Sequence, residues 1–317
     1  MNPRRIGSLS VTPIGLGTAT FAKYCDERAA VQTVHAALDL GVTLFDTADS
    51  YGAGRCGRAE EILGRTLRGR RDEVVIATKV GTEFDGRPAS ARGAWIVRAA
   101  EGSLRRLGTE YVDILLLHVP DDTVPLAETL VAMAALVKAG KVREFGCCNL
   151  SGAQLATAAR VCRELSLPPL RCVQDEYSVA ARSAEADILP FCVAEGAGFM
   201  AYAPLCYGLL TGKYAGGVPP GSRLDRMGPE RASRLVPASA TEVAQRFTDL
   251  STRWDLPAAR LALAWLLTKD VVSVVIPGAT TAAQVRDNVA AHELLPLPAE
   301  IVAAVDSLAG YAVSAGL

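Results

Sequence analysis

The feature that most constrains the fold of this chain is a regular alternation of short apolar segments and longer helical segments. Residues 73–79 (EVVIATK), 111–118 (YVDILLLH) and 271–276 (VVSVVI) are rich in Val, Ile and Leu and are short enough to be buried strands. Segments with helical spacing of apolar residues, such as 95–107 and 152–164, lie between such runs. Strict alternation of strands and helices is typical of parallel sheets with crossover helices.

Eight units of this kind are predicted along the chain. The predicted strands cover residues 14–18, 42–45, 73–79, 111–118, 142–148, 171–174, 198–202 and 271–276. The predicted helices cover residues 27–40, 59–67, 95–107, 125–139, 152–164, 185–194, 240–254, 258–268, 282–291 and 300–308. Because eight strand–helix units can close on themselves, the sequence predicts an α/β fold, a (β/α)8 TIM barrel. An open doubly wound sheet is the structural alternative.

We expect one domain over residues 1–317, since no linker or internal repeat divides the chain. A Gly- and Pro-rich stretch, residues 205–237, interrupts the alternation after the seventh strand. Connections of that length are uncommon in compact domains and are often functional. The sequence therefore predicts a long functional loop after strand 7 and a C-terminal helix near residues 300–308.

Charge and cysteine content exclude several classes of protein. The 33 Lys and Arg residues nearly balance the 34 Asp and Glu residues, so nothing favours nucleic acid or an anionic membrane as the partner. No apolar run has the length of a membrane span. The eight cysteines include no C-x-x-C pair, which argues against zinc and fits reduced thiols in the cytoplasm. A small-molecule partner is expected, and the oligomeric state is not predicted.

Four ionisable residues stand where predicted strands end. Asp46 and Tyr51 follow the second strand, Lys79 ends the third and His118 ends the fourth. The carboxyl ends of barrel strands share one rim, so these side chains are expected around one pocket. An ammonium beside a phenol should lower the pKa of Tyr51 towards useful acidity, with Asp46 balancing Lys79 and His118 donating to a carbonyl oxygen. Each residue alone also has a structural explanation, but together they favour proton-transfer chemistry.

The sequence resembles the aldo-keto reductase superfamily in FDTADSYG, ATKVG, YVDILLLH, YAPLCYGLLTGKY and IPGATT, which occur in the family's order. The resemblance covers residues 15–291. It implies that Tyr51 is the general acid or base, that Lys79 and Asp46 tune it, and that His118 orients the carbonyl. It also implies hydride delivery from a nicotinamide without a metal, and the histidine favours carbonyl reduction over reduction of carbon–carbon double bonds.

The resemblance also implies a cofactor site, with NADPH expected and NADH as the alternative. A cysteine, Cys148, replaces the family's serine, and Lys or Arg is absent beside Thr280, where it would pair with a 2′-phosphate. The implied cofactor residues are Gly17, Thr18, Cys148, Asn149, Gln174, Tyr202, Pro204, Leu205, Gly208, Leu209, Lys213, Ile276, Gly278, Thr280, Gln284 and Asn288.

A competing motif lies at residues 52–57, where GAGRCG satisfies G-x-G-x-x-G between a strand and a helix. A Rossmann loop has its first glycine at the strand end, whereas residues 47–51 intervene here after Asp46. We therefore interpret these glycines as a flexible turn that presents Tyr51.

Substrate contacts are expected from the loops at the rim. Phe21, Tyr24, Arg55, Phe84 and Tyr207 are the candidates to line the pocket. Aromatic rings and arginines suit a polar carbonyl compound, such as a sugar aldehyde, a keto sugar or a natural-product ketone.

Three other functions stay open at the level of sequence. The chain could be an NAD(P)-dependent aldose or alcohol dehydrogenase working in the oxidative direction. It could be a regulatory barrel resembling channel-associated β subunits, which a flat apolar partner surface would favour. A ketoreductase for a nucleotide-linked sugar would need a basic groove leading outward from Tyr51 and His118.

Overall fold

Parallel pairing of eight short apolar segments forms the centre of the computed structural model, which describes residues 1–308. A hairpin of β1 (Arg4–Ile6) and β2 (Leu9–Val11) precedes the eight strands, which are β3 (Leu16–Gly17), β4 (Leu44–Asp46), β5 (Val75–Val80), β6 (Val112–Leu117), β7 (Val142–Cys148), β8 (Cys172–Glu176), β9 (Gly198–Tyr202) and β10 (Val272–Ile276). Each strand from β3 to β10 pairs in parallel with the next strand in sequence.

The sheet closes on itself between its first and last strands. The backbone N–H of Gly15 donates to the carbonyl of Val275 at 2.9 Å, and that of Gly17 donates to the carbonyl of Pro277 at 3.1 Å. Parallel bridges join Ile14 to Val275 and Gly17 to Gly278. The predicted (β/α)8 barrel is confirmed, and the open-sheet alternative is wrong.

Helices surround the barrel, and some of their ends carry the capping residues expected from the sequence. They are α1 (Glu27–Asp39), α2 (Arg58–Thr66), α3 (Gly93–Leu107), α4 (Leu126–Lys138), α5 (Gly152–Glu164), α6 (Ile188–Glu195), α7 (Arg223–Met227), α8 (Pro229–Leu235), α9 (Ala238–Arg253), α10 (Ala258–Leu267), α11 (Ala282–Val289) and α12 (Ala299–Asp306). Asp26 accepts from the backbone N–H of Ala29 at the start of α1, and Gly108 ends α3 in the left-handed region. Within residues 1–308, no helix is both long and apolar enough to cross a membrane.

Side chains alternate between two apolar layers because successive residues of a strand point to opposite faces. Val75 and Ala77 of β5 belong to the inner cluster, whereas Ile76 belongs to the cluster between strands and helices. The β1–β2 hairpin, which the sequence prediction missed, adds Ile6 and Leu9 to the inner cluster. It therefore covers the amino-terminal end of the barrel, opposite the end where the predicted site residues lie.

The insertion after the seventh barrel strand has more structure than the predicted loop. The β9–α9 segment (residues 203–237) contains a 3-10 turn, Cys206–Thr211, followed by α7 and α8. Ser222 caps α7 and Pro229 stands in the first turn of α8. These local signals are sufficient for short helices even in a Gly- and Pro-rich stretch. The sequence prediction placed the insertion correctly but missed its helices.

Hydrogen bonds of Arg226 connect the β9–α9 segment to the opposite side of the barrel mouth. The guanidinium of Arg226 donates to the backbone carbonyls of Lys23 and Tyr24, each at 2.8 Å. Both acceptors belong to the loop that follows β3. The segment and this loop together bound the space above the strand ends.

Candidate active site

A connected group of polar side chains occupies the carboxyl ends of β4 and β5. The Lys79 ammonium donates to Asp46 Oδ2 at 2.7 Å, to the carbonyl of Thr47 at 2.9 Å and to Tyr51 Oη at 3.2 Å. Asp46 and Lys79 are 4% and 1% exposed, so water does not screen their ion pair. The lysine is therefore held against the tyrosine by a carboxylate on the neighbouring strand.

A second chain of hydrogen bonds extends this group across the barrel. The amide of Gln174 donates to Asp46 Oδ1 at 2.8 Å, and its oxygen lies 3.7 Å from the sulfur of Cys148. Asn149 donates to the backbone carbonyl of His118 at 2.9 Å, and its own amide oxygen accepts from Tyr202 Oη at 2.8 Å. Groups at the ends of six neighbouring strands, β4 to β9, are thus held in fixed orientations at one end of the barrel.

The pKa values of the buried pair differ in part from the sequence expectation. Burial is the largest single influence on the pKa of Lys79 and lowers it, but the charges of Asp46, Tyr51 and Cys148 and the hydrogen bond to Asp46 together outweigh burial. The net pKa is raised, so the ammonium stays charged. For Tyr51, burial raises the pKa and exceeds the lowering by Lys79. The expected net lowering of the Tyr51 pKa is therefore wrong. Loss of solvation destabilises the phenolate more than the charge of the Lys79 ammonium stabilises it. The phenol holds its proton at neutral pH.

His118 is a neutral imidazole in this site. Burial, and then the charge of Lys79, lower the pKa of His118 to about 3. Its ring meets the ring of Tyr51 edge-on, with centroids 5.9 Å apart. Its Nδ1 is buried and has no hydrogen-bond partner within residues 1–308. A neutral imidazole can still donate one hydrogen bond, as the sequence analysis expected of it.

One ionisable residue of this region was missed by the sequence prediction. Asp49 is fully buried, and neither carboxyl oxygen has a hydrogen-bond partner within residues 1–308. Burial and the nearby Glu60 raise the pKa of Asp49 to about 8, against a lowering by Arg106. The signal was present in FDTADSYG as a second acid, but sequence alone does not distinguish a buried acid from a solvated one.

Most of the predicted site residues face one large cavity of about 1200 Å³. Those on its wall are Gly17, Tyr24, Asp46, Tyr51, His118, Cys148, Asn149, Gln174, Tyr202, Pro204, Leu205, Tyr207, Gly208, Lys213, Ile276, Gly278, Thr280, Gln284 and Asn288. The cavity thus runs from the Tyr51 cluster past β9 to the start of α11. Its volume slightly exceeds the ~300–1,000 Å³ range of ordinary small-molecule pockets.

Several predicted residues are placed elsewhere. Thr18 is buried behind the wall and donates to the carbonyl of Asp46 at 3.0 Å, while Leu209 packs in the core. Lys79 is buried beneath the cavity wall and contacts the wall residue Tyr51 through a hydrogen bond.

Three predictions of pocket-lining residues are wrong for the described structure. Phe21 is fully buried in the core, because its loop turns inward after β3. Arg55 points to solvent and pairs with Glu61 at 2.8 Å. Phe84 packs under the guanidinium of Arg106, 5.0 Å from its ring centroid, away from the cavity.

The turn after Tyr51 shows why it carries glycines. Gly52 has a φ of 137°, and a Cβ there would lie 2.4 Å from the carbonyl oxygen of Arg55. Gly57 caps the start of α2 in the left-handed region. Gly52 and Gly54 lie on the cavity wall beside Tyr51, and the motif forms a tight turn next to that residue.

Sequence reasoning missed a set of basic residues on the same wall. Lys23 stands on the loop after β3, and Arg223, Arg226 and Arg231 stand on α7 and α8. They come from distant parts of the chain, so no local motif marks them. A surplus of arginines in residues 223–234 was the only available signal.

A (β/α)8 barrel with an acid–base cluster at its carboxyl rim, beside a large cavity, has the architecture of a barrel enzyme. Residues 13–309 match the model of the Aldo/keto reductase family, and the chain belongs to that family. It is 34% identical over 281 residues to L-glyceraldehyde 3-phosphate reductase of Escherichia coli (strain K12), covering 85% of this chain and 80% of the relative. It is 33% identical over 287 residues to aldo-keto reductase YhdN of Bacillus subtilis (strain 168), covering 88% and 84%. Both relatives are reductases by name, which supports an oxidoreductase that acts on small carbonyl compounds.

Proposed function

We propose that the protein is an NAD(P)H-dependent reductase that converts an aldehyde or ketone to an alcohol, with Tyr51 as the proton donor. The observation that carries this proposal is the 3.2 Å hydrogen bond between Lys79 Nζ and Tyr51 Oη, where Tyr51 faces the cavity. A protonated phenol beside a permanent ammonium is equipped to give up its proton as negative charge develops on a substrate oxygen. Asp46 keeps the ammonium in place.

The cavity fits a dinucleotide in shape and in chemistry. Gly17 and Gly278 leave its wall free of side chains where strands β3 and β10 end, so a ligand can approach the backbone closely. Asn149 and Gln174 present amide groups at the inner end, next to Tyr51 and the ring of Tyr202. The first turn of α11 lies at the other end, with Gln284 and Asn288 on the wall. We propose that these residues hold NADPH, with NADH as the alternative.

A reduced nicotinamide bound there would supply hydride to the carbonyl carbon of the substrate. The protein's own residues would manage the proton. Tyr51 donates its phenolic proton to the carbonyl oxygen as that oxygen gains negative charge, and Lys79 stabilises the phenolate that remains. His118, neutral at physiological pH, donates a hydrogen bond to the same oxygen and fixes its position.

The positions of the proton donor and its neighbours depend on the two hydrogen bonds to Asp46. Lys79 reaches one carboxylate oxygen and Gln174 the other, so the carboxylate has little freedom to rotate. Thr18 adds a bond to the backbone carbonyl of Asp46. We propose that this network sets the distance between Lys79 and Tyr51 and thereby the acidity of the phenol.

A regulatory barrel is less well supported than an enzyme. Within residues 1–308, the exposed large apolar side chains lie singly on different elements: Leu40, Val131, Leu165, Val193 and Val218. A roomy cavity above Tyr51 is what an enzyme requires. We further propose that residues 1–317 form one domain, and that the protein works in the cytoplasm, where cysteine thiols stay reduced.

The proposal is tested by titrating purified protein with NADPH and NADH while following nucleotide fluorescence. Turnover is then followed by loss of reduced nucleotide with a panel of aldehydes and keto sugars. We expect saturable binding of at least one nucleotide and turnover of at least one carbonyl compound. Absence of binding by both nucleotides would overturn the proposal. Faster oxidation of alcohols or aldoses than reduction of the matching carbonyls would reverse the proposed direction.

A further inference from the structure

The turn that carries Tyr51 also carries a carboxyl group that does not face the cavity. Asp49 is fully buried and lies off the cavity wall, whereas Ser50 and Tyr51 lie on it. The backbone N–H of Asp49 donates to the carbonyl of Lys79 at 3.0 Å, and the Lys79 ammonium donates to Tyr51 Oη at 3.2 Å. Asp49 is therefore joined through Lys79 to the proposed proton donor.

A buried ion pair lies behind the same turn. Glu60 of α2 is fully buried and accepts from Arg106 Nε of α3 and from the Thr78 hydroxyl of β5, each at 2.6 Å. Arg106 also packs against the turn, because a Cβ built at Gly57 would collide with its Cδ. The space between this turn, β5, α2 and α3 therefore contains a cation and a carboxylate that are already bonded to each other.

Asp49 has no cation of its own in this space. Within residues 1–308, neither of its carboxyl oxygens has a hydrogen-bond partner. The two cations that act on its pKa are bonded to other carboxylates, Arg106 to Glu60 at 2.6 Å and Lys79 to Asp46 at 2.7 Å. A carboxylate buried without a partner is strongly unfavourable, and such a group takes up a proton instead. The geometry therefore favours an uncharged Asp49 at neutral pH.

The pKa values of the groups around the turn agree with this charge state. Burial and then the charge of Glu60 raise the pKa of Asp49 to about 8, against a lowering by the two nearby cations. The pKa values of Lys79 and Tyr51 are raised from their ordinary values, and the pKa of His118 is lowered to about 3. Compared with these three groups, Asp49 is the one that changes charge between about pH 7 and pH 9.

We propose that Asp49 is a positioning residue for the proton donor: uncharged, it allows Tyr51 to release its proton, and its ionisation at alkaline pH sets the upper pH limit of reduction. When the O–H bond of Tyr51 breaks and the proton moves to the carbonyl oxygen, the phenolate depends on Lys79 for stabilisation. An anionic Asp49, buried beside the same lysine, would weaken that stabilisation and repel the phenolate. The inference rests on the proposed reductase function, but the charge state of Asp49 can be measured without turnover.

The test compares single-turnover rates of hydride transfer from NADPH at pH 7 and pH 9. The substrate is 4-nitrobenzaldehyde, which has no group that ionises in this range. Because a group with a pKa of about 8 is largely ionised at pH 9, the wild-type rate should fall about tenfold. In Asp49→Asn and in Asp49→Ala, which cannot ionise there, it should fall less than about twofold. Asp39→Asn, at the exposed end of α1, is the control and should show the wild-type fall.

The charge state of Asp49 is measured separately, without cofactor or substrate. In wild-type protein labelled with 13C at the aspartate carboxyls, the NMR signal that Asp49→Asn or Asp49→Ala removes should titrate at about pH 8. Titration near the ordinary value of 3.8, a wild-type rate that does not fall, or a tenfold fall that persists in both variants would overturn the proposal. If Asp49 titrates at about pH 8 but the aldehyde is not reduced, the reductase function fails, and the role of Asp49 in reduction fails with it.

Discussion

The strand ends and the β9–α9 segment (residues 203–237) line the same cavity. They differ in whether their charged side chains have partners within the protein. At the strand ends, the ammonium of Lys79 is 1% exposed and bonded to Asp46, Thr47 and Tyr51. On the segment, Arg231 is exposed and without a carboxylate partner among the described residues. A charge fixed by internal partners can serve chemistry that is the same for every substrate. A charge without such partners can bind an anionic ligand.

The two regions also differ in how their backbone is held. Strands β4 to β6 are paired on both sides and buried throughout, so the residues at their ends have little freedom. The segment has positive φ values at Ala203, Cys206 and Tyr207 and is tied across the mouth by the hydrogen bonds of Arg226. Substitutions at the strand ends should therefore change catalysis and stability, whereas those on the segment should change binding.

The largest expected effect is on turnover at the strand ends. Replacing Tyr51 with Phe removes the phenolic proton and keeps the ring, so kcat should fall about 10³-fold while the Kd for NADPH changes by less than about twofold. Steady-state kinetics and nucleotide fluorescence measure the two quantities. Tyr214→Phe is the matched control on the segment, since Tyr214 lies off the cavity wall, and it should leave kcat nearly unchanged. Equal losses in both variants would contradict the comparison.

The next effect is on stability. Replacing Lys79 with Met leaves Asp46 buried without its cation, which should lower the free energy of unfolding by about 3–5 kcal/mol. The same change at the exposed Lys213 should lower it by less than about 0.5 kcal/mol. Urea denaturation of both variants and the wild type gives these values. If the two variants were equally stable, the charges at the strand ends would not be fixed as described.

A smaller, pH-dependent effect is expected at Asp49. Its pKa is raised to about 8 in the folded protein from an ordinary value of 3.8, so folding favours the protonated form. The stability that this carboxyl contributes is present below pH 4 and is lost as the pH rises to about 8. Asp49→Asn should therefore gain thermal stability over the wild type as the pH rises from 4 to 9. A difference in Tm that stays constant over this range would show that Asp49 is ionised in the fold.

The smallest effect is expected from Arg226→Gln on the segment. Loss of its hydrogen bonds to the Lys23 and Tyr24 carbonyls should loosen the cover of the cavity and raise the NADPH dissociation rate about five- to tenfold. Stopped-flow displacement measures this rate, with Arg234→Gln as the control. An unchanged rate would mean that the segment does not retain the cofactor.

The strand ends were predicted from the sequence more successfully than the rest of the molecule. The eight strand–helix units and the convergence of Asp46, Tyr51, Lys79 and His118 follow from local patterns and from the geometry of barrel strands. The β1–β2 hairpin was missed because strands of three residues are too short to show a period of two.

Residues outside the strand ends were harder to place. Phe21 and Phe84 were predicted on the cavity wall. Instead, Phe21 packs in the apolar core and Phe84 packs against Arg106, and the sequence does not show that these groups are adjacent. The set of basic residues on the cavity wall joins Lys23 to Arg223 and Arg231 across some 200 residues, and its assembly depends on how the segment folds back over the mouth. Loop geometry of this kind is set by tertiary contacts and not by local propensity.

The most direct test of the proposed chemistry follows the hydride itself. Reduced nicotinamide nucleotide carrying deuterium at the transferable C4 position is incubated with the protein and a carbonyl substrate, and the alcohol is examined by mass spectrometry and NMR. If the strand-end cluster supports direct hydride transfer with Tyr51 supplying the proton, one deuterium appears on the carbinol carbon and none on the hydroxyl oxygen after exchange with water. An alcohol without deuterium on carbon, formed while the nucleotide is oxidised, would contradict the proposal.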